Sequence, residues 1–384
     1  MSEKAKVAAS EILDCGFIGQ GPEVEKFESE LRTRLRVEYA ATTNSATSAE
    51  HIALRLLQNP DINTKNFNST VFWDSKWSGL QRGDEVLTTA LTCTATNWPI
   101  LANGLDIKWV DVDKCTLNMD LEDLERKLSP KTKVIYVVHW GGNPVDLDKL
   151  AEIQETCKSL YGFKPVIIED CAHAFGSTYN GKPIGSHGNI CTFSFQAIKH
   201  LTSVDGGLLI VPHEKLYKRA KLLRWYGIDR EGERDDFRCE SDIAEWGYKM
   251  HMNDVNASIG RANLTEVESN VVAKHKGNAR YYNDQLGDVN GVTLLEIATN
   301  ADPSYWIYTL KVERRADFMK MMMANGIAVS KVHERNDKHS CVSEFKTALP
   351  NLDEISETMI CIPVGWWVTE DQRDHIVKCI KGGW

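Results

Sequence analysis

The sequence predicts an α/β protein, with a large, mainly parallel sheet domain followed by a smaller α+β C-terminal domain. Three observations carry this. Short β-branched runs alternate with amphipathic helical stretches over the first two thirds of the chain, the pattern of strand–helix–strand units. Runs such as VIYVV are apolar throughout instead of alternating, as strands covered on both faces are. A chain of 384 residues also exceeds what one core usually organises.

In chain order, EVLTTAL (85–91), DIKWVDV (106–112), VIYVVHW (134–140), VIIED (166–170) and GLLIV (207–211) read as strands. NMDLEDLERKL (118–128) and DLDKLAEIQETCKSL (146–160) read as helices between them. After about residue 265 the pattern changes. Helices over 271–286 and 314–326 mix with a short strand, WIYTLKV (306–312). The division therefore falls at 1–265 for the large domain and 266–384 for the small one. Segment 58–85 is rich in Asn, Asp and Ser, carries Trp73 and Trp77, and reads as a long loop or insertion.

Apolar residues make up 42% of the chain and charged residues 26%, as in globular proteins. The net charge of −9 leaves no cationic surplus to displace counterions, so neither nucleic acid nor an anionic membrane is expected as a partner. No apolar run reaches transmembrane length, and MSEKAKVAASEILDCG lacks a signal-peptide core. Ten cysteines stand singly with no CxxC pair, which excludes zinc-ribbon and thioredoxin spacing. A reduced, cytoplasmic protein is expected. NST at 68–70 matches a glycosylation acceptor and reads as chance without a secretory signal.

Open α/β sheets bind ligands at the carboxyl ends of their strands. VIIED ends there in Asp170, which by itself reads more readily as a cap for the following segment. Twenty-nine residues on, Lys199 sits among Phe193, Phe195, Ala197, Ile198 and Leu201. Such neighbours desolvate an ammonium, lower its pKa and make the amine a nucleophile. TTNSATSAEHIALRLL (42–57) opens a helix with small hydroxyl residues, whose free N–H groups and dipole suit a dianion. An ordinary serine N-cap has the same sequence. Together the three point to pyridoxal phosphate (PLP), with a lysine Schiff base, an aspartate on the pyridine nitrogen and a helix end on the phosphate. GFIGQG (16–21) reads GxxGxG after a helix-like stretch and fails as a dinucleotide loop. His51, His139 and His187 are too scattered to predict a metal site.

Several blocks then carry a family resemblance: GFIGQGPEVEKFESEL (16–31), NSATSAEHIAL (44–54), EDCAHAFGS (169–177), SFQAIKHLTSVDGG (194–207), GYKMHMNDVNASIG (247–260) and CIPVGWWVTEDQRDHI (361–376). In content and order they resemble the DegT/DnrJ/EryC1/StrS family of PLP-dependent nucleotide-sugar aminotransferases, of the aspartate-aminotransferase fold (fold type I). The resemblance implies Lys199 as the Schiff-base lysine and Asp170 as the partner of the pyridine nitrogen. It implies His173 beside the cofactor ring, Ala46 and Thr47 amides and the Ser194 hydroxyl on the phosphate, and Gln196 close by. It also implies a homodimer with the active site at the interface, where Lys249 reaches the partner's cofactor. HERNDKHS (333–340) falls where members contact substrate, so His333, Arg335 and Lys338 would suit a nucleotide diphosphate; a solvated charged loop is the other reading.

Two departures stand out. Thr92 lies where many members have a ring-stacking aromatic, and Lys249-Met250-His251 replaces N-Y-R. Some members carry histidine in place of the lysine and act as sugar 3-dehydratases. Spacing from Ser194 to Gly206-Gly207 puts Lys199, not His200, at that position. The implied activity moves an amino group from L-glutamate, through pyridoxamine phosphate, to a nucleotide-linked keto-sugar. A GDP-linked 4-keto-6-deoxyhexose is favoured. A 3-dehydratase and a catalytically idle binding or regulatory member are the alternatives.

Overall fold

The computed structural model describes residues 2–58, 79–232 and 242–384. Trp73, Trp77, the NST triplet and most of the expected insertion lie outside the described residues.

The strands are β1 (Ala40–Thr43), β2 (Glu85–Thr89), β3 (Asp106–Val110), β4 (Thr132–Val138), β5 (Val166–Asp170), β6 (Thr178–Tyr179), β7 (Lys182–Pro183), β8 (Ile190–Ser194), β9 (Gly207–Ile210), β10 (Val292–Leu294), β11 (Ala301–Asp302), β12 (Tyr308–Val312) and β13 (Met359–Ile362). The helices are α1 (Glu3–Cys15), α2 (Pro22–Leu35), α3 (Ala46–Leu57), α4 (Thr94–Ala102), α5 (Leu121–Lys127), α6 (Leu147–Tyr161), α7 (Glu214–Leu223), α8 (Asp254–Leu264), α9 (Ala273–Leu286), α10 (Arg315–Ala324), α11 (Pro350–Thr358) and α12 (Glu370–Lys381).

Seven strands form one sheet in the order β1-β9-β8-β5-β4-β2-β3. The run from β8 to β3 is parallel, and β9 alone runs against its neighbours β8 and β1. Apolar residues cover both faces, as the unbroken apolar strands predict. Phe27, Leu31, Leu150 and Ile153 pack on one face. Ile52, Leu54, Leu216 and Leu223 pack on the other. A second sheet, β10-β12-β13, carries its own core with Tyr282, Phe318 and Ile380. Leu349, Leu352 and Ile355 of the α11 region pack instead with the large-sheet cluster. No helix among the described residues is long and apolar enough to cross a membrane.

Local chemistry sets the helix ends near the site. Ser45 Oγ accepts the Ser48 amide at 3.1 Å and starts α3. Pro22 at the first turn, acids at its start and Arg32 and Arg34 in its last turn fix α2. Buried Glu28 of α2 accepts the Thr42 amide and hydroxyl, each at 2.8 Å, and the Arg224 guanidinium at 2.5 Å. One carboxylate thus ties α2, β1 and the end of α7 together.

All five strands predicted for the large sheet are present, ending one or two residues earlier than expected except at Asp170, and the predicted strand over 306–312 is β12. β1 (AATT) and β8 (ICTFS) were not predicted. Each has only four or five residues, with too short a run to show a period.

Candidate active site

Three chain segments meet at the carboxyl edge of the large sheet. β5 delivers Asp170, β8 delivers Ser194, and β1 leads through Thr43 into the start of α3. Gly207 at the head of β9 pairs with Thr43 on one side and Ser194 on the other. A Cβ on Gly207 would lie 2.4 Å from the Ser45 carbonyl group and 2.5 Å from the Ala46 nitrogen. Only glycine lets the strand pass so close to the helix start. The Ala46 and Thr47 amides, at the first two helical positions, take no acceptor among the described residues. They form a cradle of free N–H groups beside the buried Ser194 hydroxyl.

Lys199 lies in the tight turn after β8, closed by Lys199 N–H to Gln196 O at 2.9 Å and Ser203 N–H to Phe195 O at 2.9 Å. Its Nζ rests 3.5 Å from the centre of the Trp306 ring. The Trp306 indole N–H in turn donates to Ile198 O at 2.9 Å, so one tryptophan anchors the turn and faces its amine. Burial pushes the Lys199 pKa down to about 8, partly offset by the charge of Asp170. His173, three residues past Asp170, stacks on Trp306 at 3.9 Å, and His333 lies parallel to His173 at 5.7 Å. Trp140 meets both histidines edge-on at 6.0 Å. His173 Nδ1 and His333 Nε2 are buried without a partner. Burial, reinforced by the Lys199 charge, holds His173 well below the usual imidazole range and His333 at about 4. Both rings are neutral near pH 7.

Asp170 is 3% exposed. Its Oδ1 accepts the Ala172 amide at 2.9 Å and its Oδ2 accepts the Thr96 hydroxyl at 2.7 Å. Thr92 Oγ1 lies 2.8 Å from Thr96 Oγ1 and completes a hydroxyl relay. Thr92, where an aromatic was expected, therefore serves the Asp170 carboxylate through Thr96. Behind Asp170 sits a second acid, Glu50 of α3, 1% exposed. Thr192, opposite Asp170 in the β5–β8 register, and Tyr136 of β4 are buried close by.

The remaining expected residues fall in two groups. Gln196 lies exposed at the turn, its Oε1 accepting the Ile198 amide at 3.1 Å. Lys249 is exposed beside the start of α3: its carbonyl accepts from Asn44 Nδ2 at 3.4 Å, and the Met250 carbonyl accepts the Asn44 amide at 2.8 Å. The 333–340 loop docks on the turn after β2 through Asn336 N–H to Ala90 O at 2.8 Å, which brings His333 to the site. Arg335, expected to suit a diphosphate, is already paired within the protein. Its guanidinium is buried, bound bidentately to Asp337 at 2.7 Å and also to Asp353. Lys338 is exposed and pairs with Glu334 at 3.3 Å. His200 packs edge-on against His275 at 4.4 Å, whereas Lys199 faces the Trp306 ring.

Among the described residues, one group has metal-like spacing: His139, Glu169 and Cys171. His139 uses both nitrogens, Nε2 on Glu169 at 2.9 Å and Nδ1 accepting the Val145 amide at 3.0 Å, so it acts as a buried strut. Trp306, Thr96 and Glu50 were not foreseen as site residues. The one sequence trace of Glu50 is an acid on an otherwise apolar helix face, in SAEHIAL.

Comparison with known proteins matches this architecture. Residues 1–381 match the model of the DegT/DnrJ/EryC1/StrS aminotransferase family. The crystal structure of AtS13 from Actinomadura melliaura is 48% identical, superposes with a TM-score of 0.91, and covers 100% of this chain and 96% of its own. The sugar aminotransferase CalS13 from Micromonospora echinospora is 42% identical at a TM-score of 0.91, covering 100% of this chain and 98% of its own. An uncharacterized protein of Methanocaldococcus jannaschii, MJ1066, is 28% identical over 96% of this chain and 92% of its own.

Proposed function

The chain belongs to the DegT/DnrJ/EryC1/StrS aminotransferase family, PLP-dependent enzymes of fold type I, and from that premise we propose that it moves an amino group from L-glutamate to the ketone carbon of a nucleotide-linked keto-sugar. The observation that carries the reading is Lys199: a half-buried amine, with its pKa brought to about 8, set between Asp170 and the Trp306 face.

The residues fit the cofactor. The Ala46 and Thr47 amides and the Ser194 hydroxyl would hold its phosphate, in the space that a Cβ on Gly207 would disturb. Asp170 would face the pyridine nitrogen, with His173 beside the ring, Gln196 near the phosphate, and Lys199 in reach of the aldehyde. When bound, PLP supplies an electron sink for the carbon that loses a proton.

Lys199 does the proton work. Near pH 8 much of its amine is free, so Nζ would serve as the nucleophile toward the cofactor and as the base that takes the proton from the α-carbon of glutamate. The same Nζ returns a proton on the sugar half of the cycle. Thr96 and Ala172 fix both Asp170 oxygens, so the carboxylate charge is aimed before substrate arrives. Neutral His173 and His333 present unpartnered nitrogens to sugar or cofactor hydroxyls, and Trp140 and Trp306 exclude water around them.

Within this class we favour a 4-keto-6-deoxyhexose on GDP, with residues 1–265 forming the cofactor domain and 266–384 the smaller one. The reading includes a homodimer in which Lys249 serves the partner's site. Phe17 (84% exposed), Ile18, Tyr226 and Trp246 form apolar surface suited to a second copy. The cysteines described are all free, in keeping with a reducing cytoplasm. The test is direct: incubate the protein with glutamate and, separately, GDP-, UDP- and dTDP-linked keto-sugars, and measure 2-oxoglutarate and amino sugar by mass. Equal yields of both products support the reading. Ammonia release without amino sugar would make the protein a dehydratase instead.

A further inference from the structure

Glu50 is an anomaly for a purely structural helix. Its neighbours on α3, Ala49, Ile52 and Ala53, are buried apolar side chains. A carboxyl group there is 1% exposed, joins no ion pair among the described residues, and leaves Oε2 without a donor. A leucine would fill such a position at no desolvation cost. Its near neighbour is Asp170, whose charge and side chain both favour a proton on Glu50. Two acids that close cannot both ionise in a buried site, so one must keep its proton.

We propose that Glu50 is a positioning residue whose carboxyl group donates a hydrogen bond to the Asp170 carboxylate, so that the two acids present a single negative charge to the pyridine nitrogen. The inference rests on the reading of Asp170 given above. Asp170 already accepts from Thr96 and Ala172. The Glu50 proton adds a third donor, which spreads the carboxylate charge. Burial raises the Glu50 pKa well above the carboxylate range, and the Asp170 charge raises it further, so the proton resides on Glu50.

The groups facing Glu50 agree with that placement. From β5 comes Asp170, from the turn after β8 comes the Lys199 ammonium, whose charge opposes the shift, and from β4 comes the neutral Tyr136 hydroxyl. On α3 itself, His51 packs on Tyr248 and Arg55 pairs with Glu245. Cys171, near Tyr136, keeps its thiol because burial raises its pKa.

The test uses three variants. Glu50→Gln keeps shape and an N–H donor, Glu50→Leu removes the donor, and Asp170→Asn removes the acceptor. In the PLP-free protein, an acid with a raised pKa gives stability that is complete below its unfolded value and is lost as pH rises toward its folded value. Chemical unfolding of the wild type between pH 5 and 8 should therefore lose stability more steeply than Glu50→Gln, by up to about one proton in the slope. PLP titrations followed by tryptophan fluorescence should show affinity falling about tenfold in Glu50→Leu and far less in Glu50→Gln. Identical pH slopes for wild type and Glu50→Gln, or wild-type PLP affinity in Glu50→Leu, would overturn the inference. If Asp170→Asn alone binds PLP as tightly as wild type, the assignment of Asp170 falls, whatever the pH slopes show.

Discussion

At Lys199, chemistry depends on where the amine sits on its titration curve. With a pKa of about 8, its rate of PLP capture should rise with pH and level off above that value; stopped-flow absorbance of the PLP-free protein checks this. Lys199→Ala should lose the visible cofactor band and at least about 10³-fold in amino transfer. Thr96→Val removes a hydroxyl that donates to the Asp170 carboxylate at 2.7 Å and should weaken PLP binding about tenfold, while Thr96→Ser keeps it. Asp170 and Lys199 were legible because each stands next to a local signal, a strand end and an apolar turn. Trp306 was not, because it lies 107 residues beyond Lys199 and only the fold brings its ring to the amine. The pairing of Arg335 was hidden for the same reason: its partner Asp353 lies 18 residues further along the chain.

Among the elements, the close pass of β9 and α3 matters most. Gly207→Ala would push the strand against Ser45 and Ala46, costing about 1–3 kcal/mol of stability. It should also lower the affinity for PLP, because the amides of Ala46 and Thr47 move; thermal melts and PLP titration together check this. The Glu28 tie between α2, β1 and Arg224 is buried on both sides. Glu28→Ala leaves the Arg224 charge without its carboxylate and should cost about 3–5 kcal/mol in urea unfolding. Central strands were readable from their apolar runs. β1 and β8 escaped because pairing with β9, not composition, makes AATT and ICTFS strands.

For the whole molecule, the proposed dimer makes a prediction that no single chain can meet. Lys199→Ala and Lys249→Ala proteins, each with weak activity, should recover about a quarter of wild-type turnover when unfolded and refolded together, since half the pairs are mixed and each holds one intact site. Recovery no greater than the sum of the separate proteins would place Lys249 outside the partner's site. The second sheet and its core draw on the last third of the chain. Less visible in the sequence was the return of residues 349–355 to the large sheet, where Leu349, Leu352 and Ile355 are buried.

The wedge made by Gly207 also sets a timetable. Among the described residues, β1 has no neighbour in the sheet except β9, which lies more than 160 residues later in the chain. During synthesis the amino-terminal strand and the helix start behind it must therefore wait, unsheltered, until residue 207 has emerged and slipped in between. Contacts so distant along the chain slow folding. A ribosome-bound chain stopped short of Gly207 should hold no cofactor, and the capacity to bind it should arrive abruptly as β9 closes the sheet.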